Sequence, residues 1–189
     1  MRIIGGEARG RPIRLPSECR IRLTADRVKK SLFDILNPVA GKLFLDLFAG
    51  SGNVGLEALS RGARFSAFVE RDDRMIKVIR TGIARLGFSE RAEVIDADVQ
   101  RGLEHLCHRG VRFDILFADP PYDECWVCKT LCWIEESEVL SDNGVVVLQH
   151  SMREKPEGSR KHVFMIADQR RYGDTMLSFL YKRDQGKVS

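Results

Sequence analysis

Leu43 to Phe48 is a short apolar run with a single acid, Asp46, and it passes at once into Ala49-Gly50-Ser51-Gly52-Asn53-Val54-Gly55. A strand entering a glycine turn that opens a helix is a cofactor crevice. Missing side chains let a ligand approach backbone N–H groups at the helix start. Gly50, Gly52 and Gly55 satisfy G-x-G-x-x-G, so a dinucleotide is one reading, though that pattern alone is weak. Asp46 favours a different ligand. A carboxylate at the strand's end suits the cationic methionyl amine of S-adenosylmethionine (AdoMet) and opposes a pyrophosphate. Its structural alternative is a carboxylate bonded to nearby loop N–H groups.

The pattern around this bend repeats. Strands are expected at Leu43–Phe48, Phe65–Val69, Ala92–Ile95, Phe113–Ala118 and Val145–Gln149, alternating with helices at 54–61, 72–86, 99–106 and 125–136. Continuous apolar strands separated by helices predict a parallel sheet covered on both faces. His162 to Ile166 and Thr175 to Lys182, joined through Tyr172-Gly173-Asp174, predict an antiparallel pair that finishes it. Thr24 is the expected cap of a first helix that ends before Asn37-Pro38.

Glu70 ends the second strand, placed to accept hydrogen bonds from ribose hydroxyls of either NAD or AdoMet. Asp98 follows the third strand and serves equally as an acceptor for an adenine amino group or as a helix N-cap. Phe48, Ala49, Ser51 and Arg71 complete the expected cofactor-binding set. Across the fourth strand's carboxyl end comes Asp119-Pro120-Pro121-Tyr122. Proline fixes φ and disfavours helix in the residue before it, so this loop is stiff and extended. An aryl amine is a poor nucleophile because its lone pair is delocalised. If the Asp119 carboxylate and the Pro120 carbonyl each accept one N–H, the nitrogen pyramidalises toward a methyl donor, and both acceptors stabilise the charge that develops. Tyr122 can stack on an unpaired base. A rigid strand-end turn with an aromatic packed on it is the plainer alternative. The catalytic reading requires this corner and the glycine bend to share one crevice.

Charge divides unevenly. Residues 1–30 hold nine Lys and Arg against three acids, while the remainder holds 22 against 24, so the net charge of +4 arises at the amino end. That asymmetry suits a phosphate backbone, and Arg2, Arg9, Arg11, Arg14, Arg22 and Arg27 are the expected nucleic-acid contacts. Arg2–Ile4, Gly5-Gly6 and Arg11–Leu15 read as a short basic β-hairpin or ribbon, an extension over residues 1–23, with the catalytic domain over 24–189. Five cysteines without a secretory context read as thiols. Cys125, Cys128 and Cys132 fall at helical spacing, which predicts small buried hydrophobes rather than a metal site. No apolar run spans a bilayer and no signal peptide is visible, so a cytoplasmic monomer without membrane contact is expected.

Asp119-Pro120-Pro121-Tyr122 resembles the (D/N)PP(Y/F) motif of class I amino-methyltransferases, and Asp46 to Gly52 resembles their AdoMet motif. More closely, the chain resembles the RsmD-type 16S rRNA guanine-N2 methyltransferases of bacteria, through Arg2-Ile3-Ile4-Gly5-Gly6, Arg9-Gly10-Arg11, Thr24-Ala25-Asp26-Arg27-Val28 and Arg171-Tyr172-Gly173-Asp174-Thr175. The resemblance implies a Rossmann-like α/β fold with a seven-stranded sheet. It implies AdoMet as methyl donor with S-adenosyl-L-homocysteine as product, no metal, and a guanine of 16S rRNA in the small ribosomal subunit or its assembly intermediate as target. It assigns Gly50, Gly52, Glu70 and Asp98 to the cofactor and Asp119 to Tyr122 to catalysis. Leu23, where the family usually has proline, and Gln149, where glutamate is commoner, depart from the pattern. A DNA adenine-N6 methyltransferase, a non-catalytic AdoMet- or RNA-binding module and a dehydrogenase are the competing readings.

Overall fold

The computed structural model describes residues 1–15, 26–122, 125–156 and 163–183. Arg22, the cap expected at Thr24, the boundary expected at residue 23 and the strand start expected at His162 lie outside the described residues. The chain divides into two compact units, Met1–Gly102 and Leu103–Ser189.

The first unit holds α1 (Asp26–Ile35), β1 (Leu43–Leu47), α2 (Asn53–Ser60), β2 (Phe65–Glu70), α3 (Asp73–Leu86) and β3 (Ala92–Asp96). β1 and β2 pair in parallel from Leu43↔Phe65 to Leu47↔Val69, and β2 and β3 from Ser66↔Ala92 to Glu70↔Asp96. α2 is buried along its whole length, and its polar side chains, Asn53, Glu57 and Ser60, meet partners inside the unit rather than solvent. Close packing depends on two glycines. A Cβ on Gly55 would lie 2.3 Å from Phe68 Cε1 of β2, and one on Gly82 of α3 would lie 2.9 Å from Leu56 Cδ1 of α2. Asp72 caps α3 by accepting from Arg74 N–H at 2.8 Å, and Gly87 closes it in the left-handed region. Leu56, Leu59, Phe68, Ile79 and Phe88 form the apolar centre of this unit, together with Ile3, Ala8 and Ile13 from the amino-terminal segment.

That segment is an antiparallel ribbon. Its only β-bridge among the described residues is Arg2↔Pro12, supported by Ile3 N–H to Arg11 O at 3.0 Å and Gly10 N–H to Ile3 O at 2.8 Å. Gly5-Gly6 lies against the end of α2, where Ser60 O accepts from Glu7 N–H at 2.8 Å and Ser60 Oγ accepts from Ala8 N–H at 2.9 Å. Glu7 therefore satisfies the Ser60 carbonyl, one of those that a helix C-terminus leaves without a partner further along the helix.

α4 (Val99–His108) carries the chain from the first unit into the second. The second unit holds β4 (Phe113–Ala118), α5 (Trp126–Ser137), β5 (Leu140–Ser151), β6 (Phe164–Tyr172) and β7 (Thr175–Lys182). β5 is parallel to β4 and antiparallel to β7, and β6 and β7 form the expected terminal hairpin. All seven strands belong to one mostly parallel sheet in the order β3-β2-β1-β4-β5-β7-β6. β5 begins five residues before the expected Val145: Leu140 pairs with Phe113, and the register shifts before Val145 pairs with Ile115. The expectation that the cysteines of α5 form its buried face is corrected. Val127, Thr130, Leu131 and Ile134 form it, Cys128 and Cys132 flank it half-buried, and Cys125 is exposed. Among the described residues no helix is long and apolar enough to cross a membrane.

Candidate active site

The glycine bend in the first unit is built from alternate residues in the left-handed region: Phe48 (φ 57°), Gly50 (φ 53°) and Gly52 (φ 73°). Phe48 is the costly member, since an L side chain there is strained by about 1–2 kcal/mol. Two carboxylates hold the bend. Asp46, 1% exposed, accepts from Gly55 N–H at 2.8 Å and so ties the end of β1 to the first turn of α2. Glu70, half-buried at the end of β2, accepts from Gly50 N–H at 2.6 Å, Arg71 N–H at 2.8 Å and Asp72 N–H at 2.9 Å. Asp98 follows β3 and caps α4, accepting from Arg101 N–H at 3.0 Å, with Arg101 Nε 3.6 Å away. The structural alternatives for Asp46 and Asp98 are therefore both present in the molecule. Asp72 sits beside them with its carboxyl pulled down to about 2 by the Arg74 side chain and backbone N–H.

Three neighbouring parallel strands thus end in acids on one edge. Hydroxyl and amine donors fit that edge; a pyrophosphate meets like charge there. The donor set suits AdoMet, which offers an ammonium, a ribose diol and an adenine amine. Ala49 and Ser51 are buried in the bend, and Arg71 is exposed just beyond it.

In the second unit the four catalytic candidates follow β4 directly. Asp119 is half-buried, Pro120 buried, Pro121 exposed and Tyr122 half-buried. Tyr122 Oη donates to Thr175 Oγ1 at 3.4 Å, joining the corner to the start of β7. Asp119 Oδ2 accepts from Gln149 Nε2 at 2.9 Å. β4 and β5 are parallel with Ala118 opposite Leu148, so the next residues on each strand stand side by side. Gln149 is 2% exposed, and its Oε1 has no hydrogen-bond partner among the described residues. Sequence reasoning assigned Gln149 no role, because the neighbour of a strand-end residue depends on register. Its neighbour His150 is buried too: Nδ1 lies 2.8 Å from the Ser151 carbonyl and Nε2 2.8 Å from Ser178 Oγ. A carbonyl only accepts, so Nδ1 carries the proton and Nε2 accepts from the serine. Burial lowers the His150 pKa below 6.5 and keeps the ring neutral.

Of the expected nucleic-acid contacts, Arg2, Arg9, Arg11, Arg14 and Arg27 are all exposed. Lys29, which contributes to the basic excess of the amino end, is not at the surface. It is fully buried, 3.2 Å from Glu57 Oε2, donating to Asn53 Oδ1 at 2.6 Å and to Arg2 O at 2.8 Å. Burial is the first cause of its lowered pKa, with Glu57 opposing. Glu57 also accepts from Arg61 Nε at 2.8 Å and Ile4 N–H at 2.8 Å. A charge counted toward RNA therefore pins α1, α2 and the amino-terminal segment together. Among the described residues no group of three His, Cys, Asp or Glu could hold a metal ion.

The fold is that of the Rossmann-like methyltransferases. Within that class the chain belongs to the RsmD family, whose profile, "Conserved hypothetical protein 95", matches residues 1–181. The ribosomal RNA small subunit methyltransferase D of Escherichia coli (strain K12) is 34% identical over 150 residues, covering 79% of this chain and 74% of that protein. The enzyme of the same name from Haemophilus influenzae is 34% identical over 160 residues, 82% and 81% of the two chains. The solved structure of yhhF from Escherichia coli superposes with a TM-score of 0.85 at 28% identity, covering 98% of this chain and 99% of that one.

Proposed function

We propose that this protein transfers a methyl group from AdoMet to the exocyclic N2 of a guanine in 16S rRNA, within the small ribosomal subunit or an assembly intermediate. The observation that carries the chemistry is the Asp119 carboxylate at the end of β4, oriented by the Gln149 amide and followed by two prolines. The rRNA target is supported by the named activity of relatives one-third identical over most of the chain.

In this reading the first unit holds AdoMet. The glycine bend from Phe48 to Gly52 lines the methionyl part, Glu70 takes the ribose hydroxyls, and Arg71 and Asp98 flank the adenine. Asp46 braces the bend through Gly55 and contributes negative charge toward the ammonium. Bound there, AdoMet supplies an electrophilic methyl on a sulfonium.

The second unit prepares the nucleophile. Asp119 and the Pro120 carbonyl accept the two N–H groups of the guanine amine, turning its lone pair out of conjugation. The new N–C bond forms as the S–C bond breaks, sulfur keeps that electron pair, and the amine then releases one proton. A methylated aryl ammonium is so acidic that no tuned base is required. Tyr122 stacks on the unpaired base. Arg2, Arg9, Arg11, Arg14, Arg22 and Arg27 hold phosphates.

The test is methyl transfer from tritiated AdoMet to small subunits isolated from a strain lacking the modification, with the product nucleoside identified by mass spectrometry. N2-methylguanosine is expected, and Asp119→Ala should lower the rate by about 10²–10³-fold, as for loss of one transition-state electrostatic contact. Undiminished activity in that variant, or incorporation only into duplex DNA, overturns the proposal.

A further inference from the structure

The exposed face of α3 lies outside the cofactor and catalytic residues named above. Arg74, Lys77, Thr81 and Arg85 lie on it at i, i+3, i+7 and i+11, one stripe along the helix. Arg80 is exposed beside them, and Asp73 is the one acid within the helix. The amino-terminal ribbon joins this stripe at both ends. Arg11 Nη2 donates to the Arg85 carbonyl at 2.6 Å, and Arg14 with Leu15 meets Arg74, Lys77, Val78 and Thr81 around an open groove of about 340 Å³.

Two stretches far apart in sequence, each basic for its own reason, therefore make one surface within the first unit. Not all of that charge is available. Arg74 pairs with Asp72 at 2.8 Å, so Arg14 and Lys77 dominate the groove, with Arg11 and Arg85 extending it. The stripe from Arg74 to Arg85 is roughly 16 Å long at 1.5 Å per residue, which exceeds one phosphate or pyrophosphate and suits a polymer. Val78 and Leu15 give the groove an apolar wall against which a ribose or base edge can lie.

We infer that this groove is a track for the phosphodiester backbone of the substrate RNA, with Arg14 and Lys77 at its centre and Arg11 and Arg85 at one end. The inference rests on the RNA reading above and deepens it: the basic amino-terminal ribbon acts together with α3, not alone. Each phosphate neutralised releases a counterion, so affinity through the track falls with salt.

The test is the salt dependence of binding of a fluorescein-labelled single-stranded RNA oligonucleotide, without AdoMet, to wild type, to Lys77→Ala/Arg85→Ala and to Arg109→Ala/Arg112→Ala. The α3 variant should bind more weakly, with a log–log salt slope shallower by about 1.4, or about 0.7 for each lost contact to a single strand. Its melting temperature and its AdoMet affinity, titrated separately, should match wild type, since both side chains are exposed. The Arg109/Arg112 variant should keep the wild-type slope. A wild-type slope in the α3 variant overturns the track while leaving the RNA reading intact. An equal loss in both variants, or loss of binding to phosphatidylserine vesicles with RNA binding unchanged, also overturns it. Absence of salt-dependent RNA binding by wild type overturns the RNA reading itself, and the track with it.

Discussion

Gln149 makes one good hydrogen bond and leaves one polar atom orphaned, and the two halves of its amide argue in opposite directions. Its Nε2 bond to the Asp119 carboxylate is of the charge-assisted kind, about 1.5–3 kcal/mol, while a buried unpaired acceptor such as Oε1 costs about 1–3 kcal/mol. A residue retained for stability alone gains nothing from this exchange, whereas one retained to aim Asp119 does. Gln149→Met, nearly the same shape without either polar atom, should leave the melting temperature close to wild type because the two effects offset. It should still lower kcat for methyl transfer by about 10–100-fold, since 1.4 kcal/mol is tenfold and in the proposed mechanism the aimed carboxylate acts in the transition state. A stability loss with unchanged kcat would make Gln149 a packing residue. His150 gives the second residue-scale prediction. Its pKa is lowered by burial, so the unfolded chain binds its proton more tightly than the folded one. Its contribution is complete above pH 6.5 and is lost as pH falls from there toward the lowered folded value. His150→Gln should flatten that acid-side decline in melting temperature; an unchanged decline would assign it to other groups.

At the scale of elements, what the sequence made legible follows from how local the determining physics is. α3 was readable at both ends because Asp72 and Gly87 are signals in the chain itself. β4 and β7 were readable because their apolar stretches are bounded by turns. β6 was underestimated for the opposite reason: it is an edge strand, exposed along most of Met165–Arg171, so no alternation marks it. Pairing across strands is not written in either strand, and the Asp119–Gln149 contact went unseen for that reason. The glycine bend and the diproline corner were visible as motifs, while Glu70's three backbone partners were not. Gly5-Gly6 was read as a hairpin turn, but its main constraint is close approach. A Cβ on Gly6 (φ +75°) would lie 1.8 Å from the backbone oxygen of Ser60, while one on Gly10 (φ +84°) would meet nothing within 4 Å. Gly10→Ala should therefore cost only the conformational strain, about 1–2 kcal/mol. Gly6→Ala should cost clearly more, because the segment must lift from α2 and give up the bonds to Ser60. Denaturant unfolding of the two variants measures the difference, and equal costs would remove the close-approach argument.

For the molecule as a whole, the basic amino end holds two kinds of charge, exposed and buried, that composition merges. Arg9, Arg11 and Arg14 face solvent, while Lys29 is buried against Glu57 and the intervening Ile3 and Ile13 are 0% and 3% exposed in the core of the first unit. A segment that only contacts RNA could be removed with the rest of the protein unharmed. This one could not. Burying an isoleucine side chain is worth about 1.5–3 kcal/mol, so Ile3 and Ile13 together supply about 3–6 kcal/mol. Deletion also takes away the Arg2 carbonyl bonded to Lys29, the Ile4 N–H bonded to Glu57 and the Ala8 N–H bonded to Ser60. Whole domains are stable by only about 5–15 kcal/mol. A chain lacking residues 1–15 should therefore lose cooperative thermal unfolding and AdoMet binding together, whereas Arg9→Ala/Arg11→Ala should keep both and lose only RNA affinity and part of its salt slope. Calorimetry of the two variants beside an AdoMet titration separates the cases: a truncated chain that melts cooperatively and binds AdoMet like wild type would show that the ribbon is a detachable arm.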